Sequence, residues 1–513
     1  MRAFLMYPDR DLDLSCALPP NTAELTEDLG LDIVCTAMAK NDKFIFKVAK
    51  TVLVLGLRDL GTIAYRQAAL TDCLEHPAVV KEIYALAGEA VEAERRVWGL
   101  YADKPQLVLG RAVRVVSLML SYLRRLRRAA EQYAQEFRSP GFSRMFTMLL
   151  DELSEEYLRN IESHLDRLGF KGGMLISAGL GEGNTLTSPV LLKPKPSRWR
   201  QRVAVSGRTA MSFEISTRDE GGLQVLEHLQ SRAINSVANS LAQSAEHVRG
   251  FFQLLESELA FYVGCINLRD RLMELGAPMC LPDGLPETEL ALSASGLYDI
   301  GLCLRSGQAV VGNDLQADGK ALVVITGANQ GGKSTFLRSL GLAQVMMQAG
   351  MFVPAFRLRA SLCGGVFTHF KREEDATMTR GKFDDELKRM SDIAEMVTSR
   401  GLLLCNEPFA STNEREGSEI AREVLKAFTD AQVRVVLVTH MFELSHSLYM
   451  EGGAGTLFLR AERLADGTRT FRLVEAAPLA TSYGEDSYWR IFSQMGPQGG
   501  RAAHATPAVT GPR

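Results

Sequence analysis

The apolar run Leu322-Val-Val-Ile-Thr326 passes directly into Gly327, Ala328, Asn329, Gln330, Gly331, Gly332, Lys333, Ser334 and Thr335, and then into the helical pattern Phe336-Leu-Arg-Ser-Leu340. A strand, a glycine-rich loop and a helix in that order leave few folds open. Gly-x-x-x-x-Gly-Lys-Ser lets backbone N–H groups curl around phosphates, and the helix N-terminus adds a favourable dipole. Lys333 is expected to reach the β- and γ-phosphates of ATP, and the Ser334 hydroxyl to ligate Mg²⁺. The bland alternative is a glycine-rich turn that holds nothing.

Around this loop, residues 293–492 read as alternating strands and helices. Gly401-Leu-Leu-Leu-Cys405 and Val433-Arg-Val-Val-Leu-Val-Thr439 are further β-like runs. Strands alternating with helical stretches imply a mainly parallel sheet covered on both faces. The run from Gly401 ends in Asn406 and Glu407. Such a strand end commonly carries Asp at the first position, where it holds the Mg²⁺ shell. Asn406 can accept a hydrogen bond from a metal-bound water but supplies no charge, which implies weaker Mg²⁺ binding. Glu407 is placed to polarise an attacking water; the alternative is a surface acid. His440 closes the run from Val433 and could sense the terminal phosphate, or be structural.

The rest of the chain is different. With 513 residues it is too long for one core, so two to four domains are expected. Residues 1–22 read as a loosely structured lead-in and 23–292 as a helical domain. Within it, 170–221 are glycine-rich with short β-like stretches, an expected insertion. From Leu223 to Leu275 apolar residues recur at steps of three and four with no proline, a helix roughly 75 Å long if unbroken. Residues 493–513, rich in Gly, Ala and Pro, read as a disordered tail. No run has the roughly 20 apolar residues of a membrane span. Eight scattered cysteines without a Cys-x-x-Cys pair argue against a zinc site or disulfide framework and fit the cytoplasm.

Taken together, the motifs resemble the MutS family of DNA mismatch-repair ATPases. Thr326 to Arg338 runs into Gly350-Met-Phe-Val-Pro354, as the family's helix after the loop does. Ser411, Thr412 and Asn413, with Glu416-Gly417, resemble its dimer-facing loop. Thr439-His440-Met-Phe442-Glu443 resembles its switch-histidine segment, and Ser482-Tyr483-Gly484 its closing motif. More weakly, Asp28-Leu-Gly-Leu-Asp32, Ile63-Ala-Tyr65-Arg66-Gln67 and Glu258-Leu-Ala-Phe-Tyr262 resemble its helical core. The resemblance covers about residues 23–492. It implies a helical lever domain with a clamp-like insertion, followed by a P-loop ATPase domain of ABC type.

It also implies a homodimer in which each ATP is completed by a signature segment of the partner. Here that segment is Arg380-Gly381-Lys382-Phe383. The family usually has Ser where Gly381 stands, so Lys382 or the Gly381 N–H would have to serve instead. No stretch before residue 23 corresponds to the family's mismatch-reading domain, and none after the ATPase to its nuclease-like domain, so direct mismatch reading is not expected.

The net charge of −3 offers no overall attraction for nucleic acid, so any DNA contact must be local. Lys193, Lys195, Arg198, Arg200 and Arg202 surround Trp199 with no acid among them. They could be the tip of the clamp, touching DNA phosphates without reading sequence, or a solvated loop whose Trp199 packs inward. Two functions therefore stay open. One is an ATPase that switches a DNA-engaging clamp in a pathway related to mismatch repair. The other is an ATP-binding switch that hydrolyses little and regulates a protein partner.

Overall fold

The computed structural model describes residues 1–97, 104–170, 173–193, 214–372 and 381–480. They form two compact units. One comprises 1–19, 32–274 and 348–351; the other comprises 20–31, 275–347 and the residues from 352 onward. These units differ from the expected domains: residues 1–19 and 348–351 belong with the helical unit, residues 20–31 belong with the α/β unit, and the helical part ends at residue 274 rather than near 292.

The first helix, α1 (Thr22–Leu29), stops at Gly30, whose φ of 66° is left-handed. It packs on an edge strand of the α/β unit, where the Asn21 amide donates to Val366 O at 2.8 Å.

The helical unit contains α2 (Leu31–Ala39), α3 (Lys43–Leu55), α4 (Leu60–Glu75), α5 (Pro77–Arg95), α6 (Pro105–Tyr133), α7 (Pro140–Glu152) and α8 (Glu155–Leu168). Their starts are written in the sequence. Asp42, Asp59, Ser139 and Ser154 accept first-turn N–H groups at their N-caps, and Pro77, Pro105 and Pro140 open helices where no N–H is needed. A two-stranded hairpin comes next, β1 (Ile176–Leu180) with β2 (Leu186–Leu191), in the expected insertion. Then α9 (Glu220–Glu274) runs unbroken for 55 residues, about 80 Å. It packs along α6, α5 and α3. Its first turns are exposed, whereas Leu259 to Ile266 are buried all round, the pattern of a helix passing from surface into core. Gly264 permits the crossing, since a Cβ there would lie 3.1 Å from Met38 Cε and 3.2 Å from Ile45 Cγ2.

By length and composition alone α6 could cross a membrane. Its apolarity has a local cause. Leu109, Val116, Met119, Leu123 and Leu126 are buried in the unit, while Arg111, Arg124 and Arg125 pair with Glu94, Glu162 and Glu89 at 2.8–2.9 Å.

Residues 1–19 carry no helix or strand, yet they are not the loose lead-in expected. Leu5, Met6 and Leu12 are buried. The fully buried Glu258 carboxylate of α9 accepts the N–H groups of Leu5 at 2.6 Å and Leu12 at 3.2 Å. One turn on, the Tyr262 hydroxyl donates to Leu5 O at 2.6 Å. The extended segment is thus satisfied by side chains rather than by a ladder.

Among the described residues the α/β unit has two sheets. The smaller is ordered β3 (Asp283–Leu285), β7 (Arg357–Ser361), β4 (Leu292–Leu297), β5 (Asn313–Gln316). The larger is ordered β12 (Arg469–Glu475), β11 (Thr456–Arg463), β6 (Leu322–Gly327), β10 (Arg434–Val438), β9 (Leu402–Asn406), β8 (Val366–Phe370). Neighbours from β11 to β8 are parallel and β12 is antiparallel. The helices of this unit include α10 (Ile300–Ser306), α11 (Lys333–Gln348), α12 (Lys382–Met396), α13 (Glu414–Asp430) and α14 (Phe442–Glu451). One face of the large sheet, with Leu403, Cys405, Val435 and Leu437, packs on Met390 and Ile393 of α12 and on Leu425 and Phe428 of α13.

Candidate functional site

Parallel register fixes where this sheet concentrates its chemistry. Val438 pairs with Ile325 on one side and with Asn406 on the other. The carboxyl ends of β6, β10 and β9 therefore finish level, the position where parallel sheets carry their sites.

The glycine loop leaves the end of β6. Gly327 and Gly332 have φ of 107° and 91°. A side chain at Gly327 would also strike Ala461 N at 2.8 Å, and one at Gly331 would strike Ala461 Cβ at 2.7 Å. Only glycine lets the loop lie this close to β11. Lys333 begins α11 and is 6% exposed. Its ammonium donates to the carbonyls of Gly327 at 2.9 Å and Ala328 at 3.0 Å. Burial lowers its pKa, an effect that nearby Glu407 opposes and Arg469 reinforces.

From the next residue, the Ser334 hydroxyl donates to Asn406 Oδ1 at 2.9 Å. Glu407 comes directly after Asn406 with φ of 55°, held by its N–H on Val438 O at 2.8 Å. Left-handed backbone is uncommon for a residue with a side chain and marks strain kept at a site. Its carboxylate lies 3.4 Å from His440 Nδ1, which comes from the neighbouring strand tip. Their mutual hydrogen bond is the largest influence on both. It holds Glu407 below the usual carboxylate range against burial, and raises His440 above the usual imidazole range.

The expected dimer-facing residues are also on the surface of this unit. Ser411 Oγ donates to Glu386 Oε1 of α12 at 3.0 Å. Thr412 Oγ1 donates to Glu416 Oε2 at 3.2 Å, and Asn413 caps α13 by accepting from Arg415 N at 3.0 Å. Gly381 is the exposed N-cap of α12 and Lys382 its first residue.

Of the basic cluster, Lys193 is exposed just past β2. Lys195, Arg198, Trp199, Arg200 and Arg202 lie outside the described residues, as do Arg380, the Ser482-Tyr483-Gly484 motif and the expected tail at 493–513.

Sequence reasoning missed Lys371. It stands one residue past β8, with its N–H on Asn406 O at 3.2 Å, and its charge acts on both Glu407 and His440. The rule that found Glu407, a polar residue ending an apolar run, passes over Lys371 because Thr368 and His369 interrupt the strand before it.

The residues at these strand tips suit a magnesium nucleotide. Positive-φ glycines, a cation turned onto the loop's own carbonyls, and a hydroxyl–amide pair at the helix start are donors and acceptors fit for phosphate and for a hydrated cation. The oxygen pair Ser334–Asn406 carries no charge, so a divalent cation held there would be bound more weakly than by a carboxylate.

Similarities to known proteins cover parts of both units. A family model described as "MutS2 N-terminal domain" matches residues 58–275, and one described as "MutS domain V" matches residues 323–487. The DNA mismatch repair protein MutS of Leptospira interrogans is 25% identical over 265 residues, 51% of this chain and 30% of that protein. The MutS protein homolog 4 of Mus musculus is 26% identical over 218 residues, 42% of this chain and 22% of its own length. The DNA mismatch repair protein MutS of Clostridium botulinum is 30% identical over 168 residues, 32% and 18% respectively. The chain thus spans less than a third of the length of each of these relatives.

Proposed function

The chain belongs to the MutS family, and on that premise we propose that it binds and hydrolyses ATP to switch a dimeric, DNA-engaging clamp. The observation that carries the proposal is the convergence of Lys333, the Ser334–Asn406 pair and the Glu407–His440 pair at level strand tips.

In this reading residues 327–335 wrap the phosphates with N–H groups, and Lys333 exchanges its two loop carbonyls for phosphate oxygens. Ser334 and Asn406 hold the magnesium hydration shell, where a bound ion would supply neutralising charge to the β- and γ-phosphates. Glu407, already ionised by its imidazole partner, orients and polarises the attacking water. His440 and Lys371 bring positive charge to the side of the site where negative charge develops.

The dimer and the nucleic acid rest on the family rather than on contacts. Gly381 and Lys382, with Ser411, Thr412 and Asn413, are proposed to face the partner's nucleotide. Lys193, Lys195, Arg198, Trp199, Arg200 and Arg202 are proposed to touch DNA backbone at the end of the clamp-like insertion. ATP turnover measured with and without duplex, mismatched and branched DNA tests this. Stimulation that fades with added salt is expected; turnover indifferent to every DNA would remove the clamp from the account.

A further inference from the structure

The row of strand tips extends past Glu407 to the edge of the sheet. Asn406 pairs with Phe370 of β8 in the same parallel register that pairs it with Val438. Lys371 therefore follows Phe370 as Glu407 follows Asn406, and its N–H donates to Asn406 O at 3.2 Å. The side chain of that same Asn406 accepts the Ser334 hydroxyl at 2.9 Å. A lysine thus flanks the residue whose neutral amide stands where a metal's hydration shell would be held.

The Lys371 side chain is exposed, and among the described residues its ammonium forms no hydrogen bond or ion pair. Its charge acts on Glu407 and His440, so it is within electrostatic reach of that pair. It also acts on Glu386, whose Oε1 already accepts Ser411 Oγ at 3.0 Å. A triphosphate crowds negative charge onto its terminal oxygens, and positive charge has to offset it. A carboxylate at position 406 would repel a bare triphosphate, and a metal between them would reconcile the two. Asn406 removes that repulsion, while Lys371 adds attraction as a point charge. Both features lower the need for a metal.

We propose that the site accepts ATP without a divalent cation, with the Lys371 ammonium taking over at the terminal phosphate part of the neutralising work that the metal would do. The inference rests on the reading that the glycine loop holds a nucleoside triphosphate. It concerns binding: Lys333 holds the phosphates from inside the loop, and Lys371 meets the terminal one from the tip of β8. A metal, when present, adds to this through Ser334 and Asn406 rather than being a condition of it.

Equilibrium titration of the full chain with ATP, once in excess Mg²⁺ and once in excess EDTA, tests this without relying on turnover. The quantity read is the ratio of the two affinities, for wild type, Lys371→Ala, Lys371→Arg and Asn406→Asp. Wild type is expected to bind ATP measurably in EDTA. Lys371→Ala is expected to raise the ratio about ten-fold, the scale of one charged hydrogen bond, by weakening binding mainly in EDTA. Lys371→Arg keeps the charge and is expected to keep the ratio. Asn406→Asp is expected to raise it about ten-fold, through repulsion in EDTA and tighter metal in Mg²⁺. Binding by each variant in Mg²⁺ shows that it is folded. If wild type binds ATP in Mg²⁺ but not in EDTA, or if Lys371→Ala leaves the ratio unchanged, the inference is overturned while the nucleotide site stands. If wild type binds ATP in neither condition, the nucleotide reading itself is wrong and this inference goes with it.

Discussion

The Ser334 hydroxyl donates to the side-chain oxygen of Asn406 at 2.9 Å, joining the first turn of α11 to the end of β9. Two neutral groups meet where charge would help a divalent cation most. Asn406→Asp adds a carboxylate at that point. The half-saturating Mg²⁺ concentration for ATP turnover is expected to fall by about ten-fold, since cation affinity depends on ligand charge. An unchanged Mg²⁺ titration would show that Asn406 stands outside the metal shell.

Lys333 is buried, and its ammonium donates to two loop carbonyls. Replacing it with Ala removes the one cation inside the loop. ATP affinity in equilibrium titration is expected to fall by about 100-fold or more, the scale for losing a buried charged hydrogen-bond partner. Retained affinity would move the phosphates elsewhere.

The Glu407–His440 pair gives a pH signature. His440 is raised from 6.5, so its share of the pairing is complete at low pH and is lost as pH climbs through the raised value. Glu407 is lowered from 4.5, so its share is complete at neutral pH and is lost as pH falls through the lowered value. The pair is fully formed between about pH 4.5 and 6.5. In Glu407→Gln the imidazole pKa, tracked by NMR, is expected to fall toward or below its ordinary value. An imidazole that titrates identically in both proteins would contradict the pairing.

Glu258 carries the opposite sign. Burial pushes its carboxyl up to about 7, despite the backbone N–H groups, those of Leu5 and Leu12 among them, that favour its charged form. The unfolded chain gives up that proton near pH 4.5, so stability falls as pH rises from about 4.5 to 7 and is level beyond. The loss is about 3 kcal/mol. Glu258→Gln is expected to flatten this slope in urea unfolding measured from pH 5 to pH 8. Glu258→Ala leaves the Leu5 and Leu12 N–H groups buried without an acceptor, and is expected to cost about 2–4 kcal/mol and to speed exchange of both amides. A slope that survives in Glu258→Gln would assign it to another group.

Local rules made part of the molecule legible in its sequence. The glycine loop, the Asn406–Glu407 pair and His440 each end an apolar run, and a parallel sheet puts such ends together. The long helix α9 was visible because nothing in residues 223–275 stops it. Residues 1–19 were illegible because their partners, Glu258 and Tyr262, are some 250 positions away and look like any polar residues on a helix. The small sheet was hidden for a related reason: β3 and β5 have only three and four residues, and β3 pairs Asp283 with Arg359 far along the chain.

The most direct test of the central claim is single-turnover ATP hydrolysis by wild type and Glu407→Gln, with ATP affinity measured on both. The account predicts that Glu407→Gln holds ATP as tightly as wild type and cleaves it at least about 100-fold more slowly, the scale of a lost general base. Equal cleavage rates in the two proteins would contradict it.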